Sequence, residues 1–312
     1  MYHSVDPGYP HKTMFLRQFQ YLIALEREGH FGRAAERCYV SQPSLSSAIK
    51  KLEEELGVPI ILRDQKFQGF TNEGKRVVEW ARRLLADRAA MFEELAIMQK
   101  ILHGNLRVGA MPTSSPMLPI VARLFRQHYP EVQIDIQFMG IDQLTLALKN
   151  FELDIAFSDL DQIHDARLET LPLYEEPLHL LLPNNDWLDD APEVDWTAAA
   201  ELPLCLLSQP SREREIMNNA FASVNCQPQP QLESNSIFQL AFHVMAGDLA
   251  TIVPKRFTEL PGTRDKQLVN PVVTQKLGLV WVGGDPILPM ARATIELLNQ
   301  ALVEGVFDYA SK

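Results

Sequence analysis

Seven consecutive residues, Ser41-Gln42-Pro43-Ser44-Leu45-Ser46-Ser47, carry four hydroxyls and one carboxamide at what reads as the start of a helix. Serine is a mediocre helix former because its hydroxyl competes for nearby backbone groups. Small hydroxyls do permit close approach to a surface that offers both donors and acceptors. The helix dipole and the free N–H groups of a first turn favour phosphate. Base edges in the major groove meet these requirements, and Gln42 has the donor–acceptor pair that matches adenine. Taken alone, the stretch is equally an exposed polar face with a serine cap. Two basic residues downstream, Arg63 and Lys66, lie where a hairpin could present them to phosphates. A second hydroxyl cluster, Thr113-Ser114-Ser115, stands in a strand-to-helix turn, where backbone N–H groups and hydroxyls together make an anion cradle.

The elements that would position these residues follow from periodicity and punctuation. Residues from Leu16 to about 28 repeat apolar side chains at helical spacing and stop at Gly29. A short helix over Gly32–Cys38 carries Ala34-Ala35, small enough for a close helix crossing. Ser41 is the N-cap of a third helix with Pro43 in its first turn. At 100° per residue, Leu45, Ala48, Ile49, Leu52 and Leu56 share one face. Pro43, Ser47 and Lys50 fall opposite, with Ser44, Ser46 and Lys51 on the flanks. Gly57 ends the helix, and residues 58–70 read as a small hairpin. Thr71 caps a long helix to about residue 101. Its stripe of Val78, Ala81, Leu85, Phe92, Leu95 and Leu102 predicts a seam between two chains, since no sequence neighbour is placed to cover it. Two helices joined by a tight turn, followed by a hairpin, form a winged helix-turn-helix.

Charge divides the chain in the same place. The net charge is −11, yet residues 12–101 sum to +3 and residues 102–312 to −13. The smaller, basic part is the one that could approach a polyanion. No apolar run approaches the ~20 residues of a membrane span, and residues 1–15 lack the apolar segment of a secretory signal. Cys38, Cys205 and Cys226 are widely spaced, which fits a reduced, cytoplasmic protein. The eight histidines show no ligand spacing, and neither G-x-S-x-G nor a phosphate-binding glycine loop occurs. No metal, cofactor or catalytic site is expected.

The run FxxAAExCxVSQPSLSxxIKKLEEELGVPI, then a basic wing, then TNEGKRV opening a long helix, resembles the LysR-type transcriptional regulators. The resemblance implies that Gln42, Pro43, Ser44, Ser46 and Ser47 face DNA, with Ser47 where many members carry arginine. It places Arg33, Arg63 and Lys66 at the DNA backbone. It makes residues 1–13 an extension, 14–71 the DNA-binding domain, 72–103 a dimerisation helix and 104–312 an effector-binding domain.

Beyond residue 104, strand and helix patterns alternate, which predicts parallel α/β layers. The resemblance implies two lobes like those of periplasmic solute-binding proteins, one of residues 104–175 plus 276–312 and one of 176–275. The effector then sits in the cleft between them. Thr113, Ser114 and Ser115 belong to the first lobe, with Gly140 and with Ile141, where many members carry Ser or Thr. Ser208, Ser211 and Ser236 begin or precede helices of the second lobe, and Arg212 and Arg214 could add charge. The expected effector is a small organic anion, although Ile141 and the acidic charge leave a neutral or cationic ligand open. The expected partners are an operator duplex, the effector and a second or fourth copy of the chain. The alternative is a solute-binding module whose helical N-terminus serves only for dimerisation.

Overall fold

The computed structural model describes residues 16–63, 67–98, 104–284 and 287–308. The chain divides into two units, residues 1–98 and 99–312.

The first unit is helical with a two-stranded wing. α1 (Leu16–Glu28) and α2 (Phe31–Arg37) lead to α3 (Gln42–Leu56). The Ser41 Oγ accepts from the Ser44 N–H at 3.3 Å and caps α3, while Gly57 ends it at φ +73°. That left-handed conformation suits a residue without Cβ. Strands β1 (Ile61–Arg63) and β2 (Phe67–Phe70) pair antiparallel. α4 (Asn72–Met98) is capped by Thr71, whose Oγ1 accepts from the Gly74 N–H at 2.8 Å. Ala34 and Ala35 are fully enclosed at the crossing of α2 with its neighbours, and Leu22, Leu25, Leu45, Ile49 and Leu52 form the centre of the core.

The stripe expected to pair two chains is internal only in its first half, and its last member, Leu102, lies outside the described residues. Val78 and Ala81 are buried in this core, with Leu85 packed against it. α1 covers them, and Arg82 joins Glu26 across the two helices at 2.5 Å. Farther along α4, Phe92 and Leu95 of that stripe are exposed, as are Trp80, Leu84 and Met91 beside it.

The second unit contains one eight-stranded mixed sheet. β3 (Gly104–Ala110), β4 (Val132–Phe138) and β5 (Ile155–Asp159) are parallel, with β3 in the middle. Thereafter the expected all-parallel arrangement gives way. The long β6 (Leu168–Pro183) and the late β12 (Thr274–Val282) are antiparallel to each other, and β12 is antiparallel to β5. Past Pro177, β6 exchanges β12 for two antiparallel neighbours, β10 (Thr251–Pro254) and β11 (Thr263–Val269). β7 (Glu193–Asp195) lies beside β11, and β8 (Cys205–Leu207) with β9 (Leu232–Ser234) forms a separate parallel pair.

Helices cover this framework. α5 (Leu118–His128), α6 (Ile141–Lys149) and α10 (Pro289–Val303) accompany the first strands. α7 (Trp196–Ala200), α8 (Arg212–Ser223) and α9 (Ile237–Ala246) accompany the later ones. The second half of β6 is buried on both faces: Leu178, Leu180 and Leu182 meet α7 and α8, while Leu181 meets α9. Alternate side chains of one strand thus enter two cores.

Candidate functional site

The first unit presents α3 as designed by its own periodicity. Leu45, Ile49 and Leu52 face inward, while Gln42, Pro43, Ser44, Ser46, Ser47 and Lys50 are all exposed. Ser44 is partly committed, since its Oγ lies 2.8 Å from the Oγ of Ser41. Lys50 lies 3.8 Å from Glu54, both well exposed. Arg33 is tied to the end of α1, donating to the Glu28 carbonyl at 2.6 Å. Arg63 ends β1, and Lys66 lies outside the described residues. One contributor gives no sequence signal. The buried Glu53 accepts from the N–H groups of Ile60 and Ile61 at 2.9 and 3.1 Å, fixing the wing to α3. Acidic residues on amphipathic helices are ordinary, so its inward turn is invisible in the pattern.

The second unit contains a cleft of about 690 Å³. The turn into α6 and the segment after β5 form one wall: Met111, Gly140, Ile141, Asp142, Gln143, Gln162 and His164. The start of α8 forms the other: Pro210, Ser211, Arg212, Glu213 and Glu215. Of the effector residues expected from sequence, Gly140, Ile141, Ser211 and Arg212 line this space. Thr113, Ser114, Ser115, Ser208 and Ser236 are not among its lining residues.

The hydroxyl turn explains why. Residues Pro112–Ser114 make a 3-10 turn that consumes its own donors. The Ser114 N–H bonds to Met111 O at 2.9 Å and the Ser115 N–H to Pro112 O at 3.2 Å. Ser115 Oγ also donates to Pro112 O, and Ser114 Oγ to Phe157 O at 3.4 Å. Only the Thr113 hydroxyl, in a residue 4 % exposed, is buried without a partner. Ser211 and Ser236 cap α8 and α9, accepting from Arg214 N and Gln239 N. Ser208 is half-buried, and its N–H bonds to Ser234 O at 2.9 Å. Arg214 points inward, donating to Leu207 O, Glu233 and Asn218, so it is a framework residue.

The cleft is rich in carboxylates. Asp142 sits in the first turn of α6, and Glu213 and Glu215 in that of α8. Asp159 lies behind them, 3 % exposed. Burial raises the affinity of both Asp159 and Glu213 for a proton, and the charge of Asp159 raises that of Glu213 further. Arg212 is committed to Glu215 at 2.7 Å. Among the described residues no group of three or more His, Cys, Asp or Glu is arranged to hold a metal.

Comparison with known proteins covers both units. Residues 16–75 match the bacterial regulatory helix-turn-helix protein model of the lysR family. Residues 99–303 match the LysR substrate binding domain. The chain is 29 % identical over 310 residues to the DNA-binding transcriptional dual regulator OxyR of Escherichia coli, spanning 96 % of this chain and 99 % of the relative. It is 30 % identical to a hydrogen peroxide-inducible genes activator of Haemophilus influenzae, covering 88 % and 92 %. Full-length OxyR of Pseudomonas aeruginosa superposes with a TM-score of 0.73 at 29 % identity, covering 93 % and 95 %. CbnR in complex with its target DNA shares the fold, with a TM-score of 0.64 at 21 % identity over 92 % and 100 %.

Proposed function

Since the chain belongs to the LysR family of DNA-binding transcriptional regulators, we propose that it reads an operator through α3 and answers a small effector in the cleft of its second unit. The observation that carries the first half is the exposed polar face of α3 over a capped, donor-rich N-terminus. Gln42, Ser46 and Ser47 are the base readers. Lys50, Arg33, Arg63 and Lys66 are the phosphate contacts, which position the protein without reading sequence. Two copies pairing through the exposed stripe of α4 would place their recognition helices on half-sites about one turn, roughly 34 Å, apart or a multiple of it.

The test is binding of the full chain to a selected operator and to random duplex. Gln42→Ala should cost about 1–3 kcal/mol on the operator and little on random DNA, because a bidentate amide–adenine contact is worth that much. Lys50→Ala should weaken both alike and lower the slope of log affinity against log salt by about one. Equal losses for Gln42→Ala on both duplexes would remove it from the readers.

Several relatives are named for peroxide-inducible genes, and peroxide reacts with a thiolate. Here Cys205 is buried in β8, where burial pushes its thiol up to about 11 and its Sγ bonds to Leu240 O and Ala250 O. Burial likewise raises Cys38. We therefore assign the response to ligand binding rather than to oxidation of Cys205 or Cys38. Cys205→Ser with an unchanged response to the effector is the expected result.

A further inference from the structure

We propose that the cleft of the second unit takes a small cation, a molecule bearing a protonated nitrogen, with Glu213 and Asp142 as its counter-charges and Gln162 as a hydrogen-bond acceptor. This inference rests on reading that cleft as the effector site, and it reverses the organic anion expected from sequence.

Three independent observations carry it. The first is the charge of the walls. Asp142, Glu213 and Glu215 line the space, and the one arginine there, Arg212, is paired with Glu215 at 2.7 Å. Among the described residues no lysine or arginine forms an ion pair with Glu213, Asp142 or Asp159. An entering anion would meet an excess of negative charge in a partly dehydrated space, where Coulomb forces are weakly screened.

The second observation concerns the helix starts. α6 and α8 both begin at this cleft, and helix starts are the positions a ligand carboxylate would normally use. That of α8 is filled from within, and that of α6 carries an acid in its first turn although no side chain caps it. Asp142 occupies the first turn of α6, and Glu213 that of α8, where its carboxylate accepts from its own N–H. Ser211 Oγ takes the N–H of Arg214. The dipoles thus stabilise the protein's own carboxylates, which are left to face the ligand.

The third observation is an acceptor without a donor. Gln162 lines the same wall, and its Oε1 is buried with no hydrogen-bond partner. Its Nε2 donates to Asp159 Oδ2 at 3.1 Å. Turning the amide over would set its oxygen against that carboxylate, so Asp159 fixes the oxygen as the group left over. A buried acceptor without a partner costs about 1–3 kcal/mol, which a ligand N–H removes. The same ligand would relieve the repulsion between Asp159 and Glu213.

The experiment uses the full chain at 150 mM NaCl and two four-carbon ions of opposite sign, 1,4-diaminobutane and succinate. Binding is followed by titration calorimetry and by the shift in melting temperature. The diamine should bind saturably, one per chain, and raise the melting temperature, whereas succinate should do neither. Glu213→Gln and, separately, Asp142→Asn should each weaken the diamine at least tenfold. The control Asp190→Asn removes a fully exposed acid far in sequence from the cleft and should leave the affinity unchanged. Asp142 is exposed at a helix start, so its variant tests the inference even if Glu213→Gln misfolds. Binding of succinate but not the diamine, binding of neither, or a diamine affinity indifferent to both cleft substitutions overturns the inference. Operator binding by the same preparations separates the two levels. Selective DNA binding without a diamine response removes the cation alone. Loss of selectivity in the wild type removes the regulator reading itself.

Discussion

Two buried glutamates show how differently one residue type can serve. Glu53 is satisfied, accepting two backbone N–H groups that nothing else reaches. Glu53→Ala leaves both donors buried and should cost about 3 kcal/mol of stability in the first unit, read from urea unfolding. Glu176 is half satisfied. Its Oε2 accepts from Arg256 N at 2.7 Å, while its Oε1 is buried without a partner, opposite Gln275, whose Oε1 also lacks one. Burial, only partly offset by Arg256, pushes its carboxyl up to about 7. The folded state therefore binds this proton more tightly than the unfolded chain does. The stabilisation is complete below about pH 4.5 and is lost as pH rises through about 7. Glu176→Gln should remove that loss, leaving the variant up to about 3 kcal/mol more stable relative to wild type at pH 8 than at pH 4. Melting curves across this range would check it, and parallel curves for both proteins would contradict it. Neither role could be read from sequence, because periodicity tells which side chains turn inward and not what they meet there.

At the scale of elements, the capped boundaries were legible and the partners less so. Ser41, Gly57 and Thr71 mark the ends of α3 and the start of α4 through local chemistry, and α9 spans the residues its pattern predicts. The stripe of α4 changes surroundings along its length because the helix carries two apolar faces. Val78, Ala81 and Leu85 serve the core of their own unit, whereas Phe92 of the same stripe is exposed, as are Trp80, Leu84, Met91 and Leu95 within an arc of about 60° at 100° per residue. A single sequence cannot say which stripe another copy covers. Leu84→Glu with Met91→Glu should leave the first unit folded and shift the chain to monomers in sedimentation equilibrium, while Ala81→Glu should unfold the unit. The start of α4 is equally constrained. A Cβ on Gly74 would come within 2.0 Å of the Ile60 carbonyl oxygen. Gly74→Ala should therefore loosen the junction between wing and helix, visible as a lower melting temperature.

Across the whole molecule, the class of fold and the division of charge followed from the sequence, but the sheet did not. Strand–helix alternation correctly gives the parallel β3, β4 and β5. It cannot give the return of β12 between β5 and β6, since residues 184–273 intervene between the end of β6 and the start of β12. The cleft carboxylates were hidden for another reason. Acidic residues in the first turn of a helix are expected everywhere, so Asp142 and Glu213 carry no distinguishing mark until the two helix starts are seen to converge. Strand β6 links the two halves of this unit, pairing with β12 along its first part and with β10 and β11 along its second. That shared strand sets an order for synthesis on the ribosome. The later half of β6, with β10, β11 and α7 to α9, can fold once residue 269 has emerged. The earlier half, begun at residue 104, must wait for β12 and for α10, which ends at residue 303. The exposed edge of β5 is thus held open while residues 160–282 are made, and the newborn chain has the greatest need of a chaperone in that interval.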